Sequence, residues 1–206
     1  MLLAQDTAIR ANQSGLGTSS DGQTYTITGT GTGAISSNAL VITSTGSDTH
    51  AQLGSRISGD AEVFCKIVIG NINDICGVQA RFSVSGGQPT AYKLLWYGGN
   101  LHLNKAVAGA NTQMTTSAFS MSVGIAYWFR LRVAGLSLYG RAWQDGTAEP
   151  GIWATTTTDS AVTGAGGFAI LANSAAGSSV SFSYLTALSL VGVLGLGHRQ
   201  MARMLP

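Results

Sequence analysis

Residues 127–144 read YWFRLRVAGLSLYGRAWQ. Taken by twos, Tyr127, Phe129, Leu131 and Val133 fall on one side and Trp128, Arg130 and Arg132 on the other, which is the period of an extended strand. Ala134-Gly135 interrupts the pattern with a turn signal, and the chain returns with Leu138, Gly140 and Ala142 opposite Tyr139, Arg141 and Trp143. One face of this hairpin is apolar and seeks a core. The other interleaves arginines with aromatic rings.

The same alternation spreads outward over short segments at 23–28, 39–43, 51–53, 61–69, 76–84, 91–97, 101–106, 167–172 and 180–187, divided by clusters of Gly, Asn, Asp and Ser. In 61–69 the apolar set is Val63, Cys65, Ile67 and Ile69; in 76–84 it is Cys76, Val78, Ala80, Phe82 and Val84, leaving Gln79, Arg81 and Ser83 on the opposite side. Gly98-Gly99-Asn100 and Asp145-Gly146 mark further turns, and 111–122 (NTQMTTSAFSMS) reads as a loop or an irregular edge strand. The 206 residues suffice for one ordinary domain. Only 10% are charged, whereas Gly (28), Ser (22) and Thr (21) make up a third of the chain, the composition of an all-β protein.

The net charge of +2 comes from 11 basic and 9 acidic residues scattered along the chain, without the basic stripe that phosphate binding needs, so nucleic acid is not an expected partner. The start, MLLAQDTAIRANQ, has neither a basic n-region nor an apolar h-region and is not a secretory signal as written. The most apolar run, 185–197, has 13 residues and three glycines, short of the roughly 20 that cross a bilayer. The chain therefore divides into a sandwich over 1–188 and an apolar, basic tail over 189–206, a candidate docking segment. If the 61–69 and 76–84 strands pair, Cys65 and Cys76 lie almost opposite each other on the core side; the alternative is two buried free thiols.

From residue 127 onward the order is R-x-R-V-x-G (130–135), W-x-D-G (143–146), E-P-x-x-W (149–153), T-D-S (158–160) and a Gly-rich turn into G-x-x-I (167–170). This order resembles the concanavalin A-like lectin/glucanase superfamily, specifically its laminin-G-like and 3-keto-disaccharide hydrolase-like modules, found in phage and bacterial surface proteins. Asp6 to Ala11, GVQARFS (77–83), AYKLLW (91–96) and LHLNK (101–105) extend the similarity over roughly 6–187. The resemblance implies an antiparallel jelly-roll β-sandwich of the concanavalin A-like type. It also implies a structural calcium near the N-terminal Asp, for which Asp6 matches, while Ser183 stands where an acidic residue is common.

That superfamily holds lectins, carbohydrate-binding modules, glycosidases and adhesive domains, so the site must choose among them. A glycosidase needs two carboxyl groups about 5–10 Å apart. The nine acidic residues fall mostly in turns and strand ends, and the E-x-D-x-x-E strand of the superfamily's glucanases is absent. Glu62 is the carboxylate well inside a strand, and Asp145 with Glu149 is a possible pair whose place in a turn favours a structural role. His50, His102 and His198 are far apart, giving no zinc spacing, and there is no nucleophile elbow, P-loop or dinucleotide fingerprint.

Sugar binding fits better: rings stack on a sugar's apolar face while forked or amide donors hold its hydroxyls. The face opposite the core offers Arg81, Lys93, Tyr97, His102, Asn104, Arg130, Arg132, Tyr139 and Arg141, with Arg81, Tyr97, His102 and Arg141 foremost. The expected function is a non-enzymatic carbohydrate-binding or adhesive structural module with no cofactor. A phage virion protein of the tail fibre or capsid surface, released by lysis, is the expected setting, with cell-surface glycan or other virion subunits as partners and a homo-oligomeric state. The alternative is a glycoside-hydrolase-like module or a fragment of an exported bacterial protein.

Overall fold

A computed structural model describes residues 1–190; of the tail expected over 189–206, all but its first two residues lie outside this range. The described chain forms sixteen strands: β1 Leu2–Asp6, β2 Gln13–Ser14, β3 Tyr25–Thr28, β4 Thr32–Ser36, β5 Ala39–Thr43, β6 Thr49–Leu53, β7 Ala61–Ile69, β8 Ile75–Ser85, β9 Gln88–Tyr97, β10 Asn100–Val107, β11 Ala110–Ala118, β12 Ala126–Ala134, β13 Ser137–Gln144, β14 Thr155–Thr158, β15 Gly167–Asn173 and β16 Val180–Ser189. None of the described residues forms a helix long and apolar enough to cross a membrane.

The strands build two antiparallel sheets. The first runs β14-β13-β12-β7-β16-β5-β4-β2, with β1 also pairing to β16; the second runs β11-β10-β9-β8-β15-β6-β3. The architecture is the expected all-β jelly-roll sandwich, and 111–122 contributes a true edge strand in β11. The alternation supplies the core: Val63, Cys65, Ile67 and Ile69 of the first sheet face Cys76, Val78 and Ala80 of the second, all fully buried with Trp96, Phe129 and Leu131. Burying one such side chain contributes about 1.5–3 kcal/mol.

Four successive strands, β8 to β11, are joined by two-residue turns at Gly86-Gly87, Gly98-Gly99 and Ala108-Gly109, every one with both residues at positive φ. That backbone twist matches a tight antiparallel hairpin. Strand β7 does not pair with β8. The chain crosses between sheets through 70–74, where the buried Asp74 carboxylate accepts the amides of Gly70, Asn71 and Ala175. Cys65 and Cys76 consequently lie on different sheets, buried and unbridged, so the adjacent-strand expectation is replaced by the two-thiol one.

One irregularity overturns part of the parity prediction. Between Ala80 and Ser83 the β8–β9 register shifts, with Arg81 at φ 52, so a bulge reverses the faces beyond it. Phe82, expected in the core, joins Ala91 and Ala169 in a small cluster on the outer side, and Val84 is exposed. Arg81, expected outside, turns inward.

Candidate functional site

The predicted binding residues separate onto three places. Arg130, Arg132, Tyr139 and Arg141 gather on the outer face of the first sheet, in cross-strand rows Glu62–Arg132–Tyr139 and Phe64–Arg130–Arg141. Here the guanidiniums are already committed. Glu62, 3% exposed, accepts from Arg132 Nε (3.1 Å) and Nη2 (2.9 Å), and its other oxygen lies 3.1 Å from Arg130 Nε. Glu149 sits against both Arg130 and Arg141, and Arg141 also donates to the Pro150 carbonyl at 2.6 Å. Arg132 and Arg141 stack over Trp153 at 5.0 and 4.2 Å, while Phe64 lies parallel to Trp128 at 4.5 Å. The network pins the 145–153 loop to the sheet.

Arg81 reaches neither outer face. Its Nε donates to Gly59 O (2.6 Å), Nη1 to Val162 O (2.6 Å) and Nη2 to Gly135 O (2.7 Å), with the guanidinium over the ring of the core residue Tyr92. A sugar site at Arg81 is therefore replaced by a clamp joining three loops at one end of the sandwich, a consequence of the bulge.

Asp6 is likewise filled. Its buried carboxylate accepts from both terminal nitrogens of Arg10 (2.8 and 3.0 Å), the amides of Ala8 and Ser20, and the Tyr25 hydroxyl (3.0 Å). A guanidinium occupies the place a cation would take, so Asp6 does not fit calcium, and no group of three His, Cys, Asp or Glu side chains among the described residues is arranged to hold a metal.

Tyr97 and His102 fall on the outer face of the second sheet, where they stack with ring centroids 3.7 Å apart. Beside them cross-strand pairing lines up Gln113, Asn104, Lys93, Gln79, Ala169 and Gln52. His102, Leu95, Gly77, Leu171 and His50 form the next row. This outer face is buried to a degree unusual for polar residues: Lys93 and Gln79 are 0% exposed, and His50, His102 and Asn104 are all under 10%.

Curvature is the cause. Lys93 Nζ donates to Asn111 Oδ1 at 2.9 Å on edge strand β11, and lies 3.6 Å from Asp48 Oδ2 just before β6. On a flat sheet β9 and β6, three strands apart, would be about 14 Å from each other, so the sheet coils around this face. Glycines permit the close approach: a Cβ at Gly77 would lie 2.0 Å from Leu94 O, and one at Gly29, at φ 110, would lie 2.4 Å from Asp48 O.

The result is a pocket of about 260 Å³ walled by Thr28, Gly29, Asp48 and His50 on one side and by Gln88, Pro89, Gly109 and Asn111 from two hairpin tips on the other. Its electrostatics are nearly balanced. Burial, and then the charge of Lys93, hold His50 down at about 4, so the imidazole is neutral at pH 7 and meets Gln79 Nε2 at 2.9 Å. Burial also lowers Lys93, against the opposing pull of Asp48. Three buried polar atoms on this face lack a protein partner: Gln79 Oε1, Asn104 Oδ1 and His102 Nδ1.

The sequence expectation puts Lys93, Tyr97, His102 and Asn104 on one face with the arginines, whereas the structure places them on the other sheet. The same expectation gives Gln79 the outer side without a role, weighs Asp48 only as a scattered carboxylate and His50 only as a zinc ligand, and gives Asn111 no role. Asp48, His50 and Asn111 come from segments brought together by coiling, which leaves no periodic signal.

No family model matches the chain, and no curated protein is significantly similar to it. Solved structures do match. A carbohydrate-binding module, CBM66 from Bacillus subtilis, superposes with a TM-score of 0.64 at 17% identity, covering 80% of this chain and 95% of the module. A β-glucanase of Bacillus licheniformis gives 0.54 at 9% over 90% and 97%, and the Emp46p carbohydrate recognition domain in its potassium-bound form gives 0.58 at 11% over 79% and 87%. Lectin-like, binding and hydrolytic proteins thus share this architecture. The likeness is one of fold, a two-sheet antiparallel β-sandwich of the kind these proteins have.

Proposed function

We propose that the chain is a non-catalytic carbohydrate-binding module whose ligand sits in the pocket on the coiled outer face of the second sheet, against Asp48, His50 and Asn111. The observation that carries this is the pocket of about 260 Å³ whose wall holds a carboxylate, a neutral imidazole and an amide, Asp48, His50 and Asn111, over a face where Gln79 Oε1, Asn104 Oδ1 and His102 Nδ1 are buried without protein donors. A buried acceptor without a partner costs about 1–3 kcal/mol, so these three keep the face polar, and the carboxylate, imidazole and amide at the pocket wall are the groups that suit sugar hydroxyls. With Nε2 as the protonated nitrogen facing Tyr97 O at 3.3 Å, His102 offers Nδ1 as an acceptor. The structural likeness to a carbohydrate-binding module supports the same reading.

The β-glucanase likeness favours hydrolysis as the second reading. Against it, Glu62 and Glu149, two carboxylates gathered at the first sheet's outer face, share Arg130 and are committed to guanidiniums rather than to open space. Neither fold nor neighbours bear on the expectation of a virion protein or of a homo-oligomer.

The test is a glycan array followed by titration calorimetry on the best ligand, with Asn111→Ala and His50→Ala. Affinity falls at least about tenfold in each, matching the loss of one or two good hydrogen bonds, while Arg141→Ala leaves it unchanged. Binding that survives both groove substitutions and disappears with Arg141→Ala would move the site to the first sheet. Release of reducing sugar that is lost in Glu149→Gln would establish catalysis instead.

A further inference from the structure

Charge in the groove goes further than the presence of a ligand: resting on the carbohydrate-binding reading, we infer that the groove selects electrically neutral sugars and rejects uronic, sialic and other acidic ones. Its cation, Lys93, is fully buried and already faces a carboxylate, Asp48, at 3.6 Å. The ammonium lies beneath and the carboxylate above, since Asp48 keeps 31% of its side chain exposed at the pocket wall whereas Lys93 keeps none. An entering carboxylate would therefore meet Asp48 before it could meet Lys93.

No second cation compensates among the described residues. Arg130, Arg132 and Arg141 belong to the other sheet's outer face, Arg81 is turned inward, Arg10, Lys66 and Lys105 are paired with Asp6, Asp145 and Asp159, and Arg56 donates to the Leu3 carbonyl. His50, the remaining titratable group at the wall, is neutral at pH 7 because burial and Lys93 both oppose its protonation. An acidic sugar would have to bring a second negative charge next to Asp48, and an uncompensated like charge is an effective means of rejection. A neutral sugar meets no such barrier. Vicinal hydroxyls find an acceptor in Asp48 and an amide in Asn111, both set at the pocket wall.

The experiment uses the full chain on an array of neutral hexose and pentose oligosaccharides printed beside uronate-containing and sialylated ones at pH 7. Wild type binds neutral spots and leaves acidic ones blank. On the best neutral oligosaccharide, raising NaCl from about 0.02 to about 0.5 M changes affinity by less than about twofold, as expected for an uncharged ligand. Asp48→Asn frees the ammonium and raises the acidic-to-neutral binding ratio at least about tenfold, whereas Lys93→Met does not raise it. Wild-type binding to acidic glycans equal to or tighter than to neutral ones, or a ratio unmoved by Asp48→Asn, overturns the inference and leaves the carbohydrate-binding reading standing. An array blank in both classes overturns the reading itself.

Discussion

Lys93 and Asp48 lie 3.6 Å apart although β9, which bears the lysine, is separated from β6, which follows the aspartate, by two intervening strands. The pair is asymmetric, with the ammonium fully buried and the carboxylate partly in water. Removing the carboxylate strands a buried charge, whereas removing the ammonium leaves a carboxylate that solvent can still reach. Asp48→Asn is accordingly expected to destabilise the fold by about 2 kcal/mol, and Lys93→Met, which keeps the stem's packing, by less than about 1 kcal/mol. Urea unfolding at pH 7 measures both; an equal or reversed order would show that the pair is solvated throughout.

His50 makes stability depend on pH. Its native value of about 4 lies below the 6.5 of an unfolded imidazole, so between these limits the unfolded chain holds a proton that the folded chain refuses. The associated stability is complete above pH 6.5, falls by about 1.4 kcal/mol per pH unit below it, and levels off under pH 4, for a total of roughly 3 kcal/mol. The difference between wild type and His50→Gln isolates this contribution from the carboxylates. Wild type should lose roughly 2 to 3 kcal/mol more than the variant between pH 7 and pH 4.5, and parallel losses would refute the depressed value.

How far the sequence reveals such features depends on whether they are local. Alternation located Val63, Cys65 and Ile67 in the core because strand period acts residue by residue. The turns at Gly98-Gly99 and Gly135 were legible from their glycines. The bulge at Arg81 was not: ARFSV continues a regular alternation, and the shift arises where Gly166 packs against the Arg81 backbone, so close that an added Cβ would lie 2.3 Å from the Arg81 carbonyl carbon. The groove was half legible for a related reason. Outward-facing Lys93 and Asn104 follow from parity, but their burial under Asn111 and Asp48 depends on how tightly seven strands coil. The arginines of β12 and β13 stand beside aromatics, a pattern that an ion network paired within the sheet produces as readily as a binding face.

Arg81 tests this distinction directly. Its side chain satisfies the carbonyls of Gly59, Val162 and Gly135 and sits over Tyr92, so Arg81→Ala leaves three carbonyls without their charged donor. The expected loss is about 3 kcal/mol, since hydrogen bonds to charged groups contribute about 1.5–3 kcal/mol each and part is recovered by water. Glycan affinity measured below the variant's melting transition should equal wild type. A well-folded Arg81→Ala protein that no longer binds would return Arg81 to the site.

The two cysteines provide the last test. Cys65 and Cys76 both point into the space between the sheets, from β7 and β8, and stacked sheets stand about 10 Å apart, whereas a disulfide needs Cα atoms within about 7 Å. Burial pushes both thiols well above their ordinary value, and the nearby Asp6 and Asp74 charges push in the same direction. Thiolate is the reactive form, so neither sulfur should react with an aromatic disulfide reagent at pH 8 in the folded protein, and both should react in 6 M guanidinium. The rate in water then reports opening of the core, because both side chains are fully buried between the sheets. A reagent count near two in guanidinium, with no change in melting temperature on adding dithiothreitol, fits free thiols; a count near zero that reductant restores would mean that β7 and β8 approach far more closely than two stacked sheets allow.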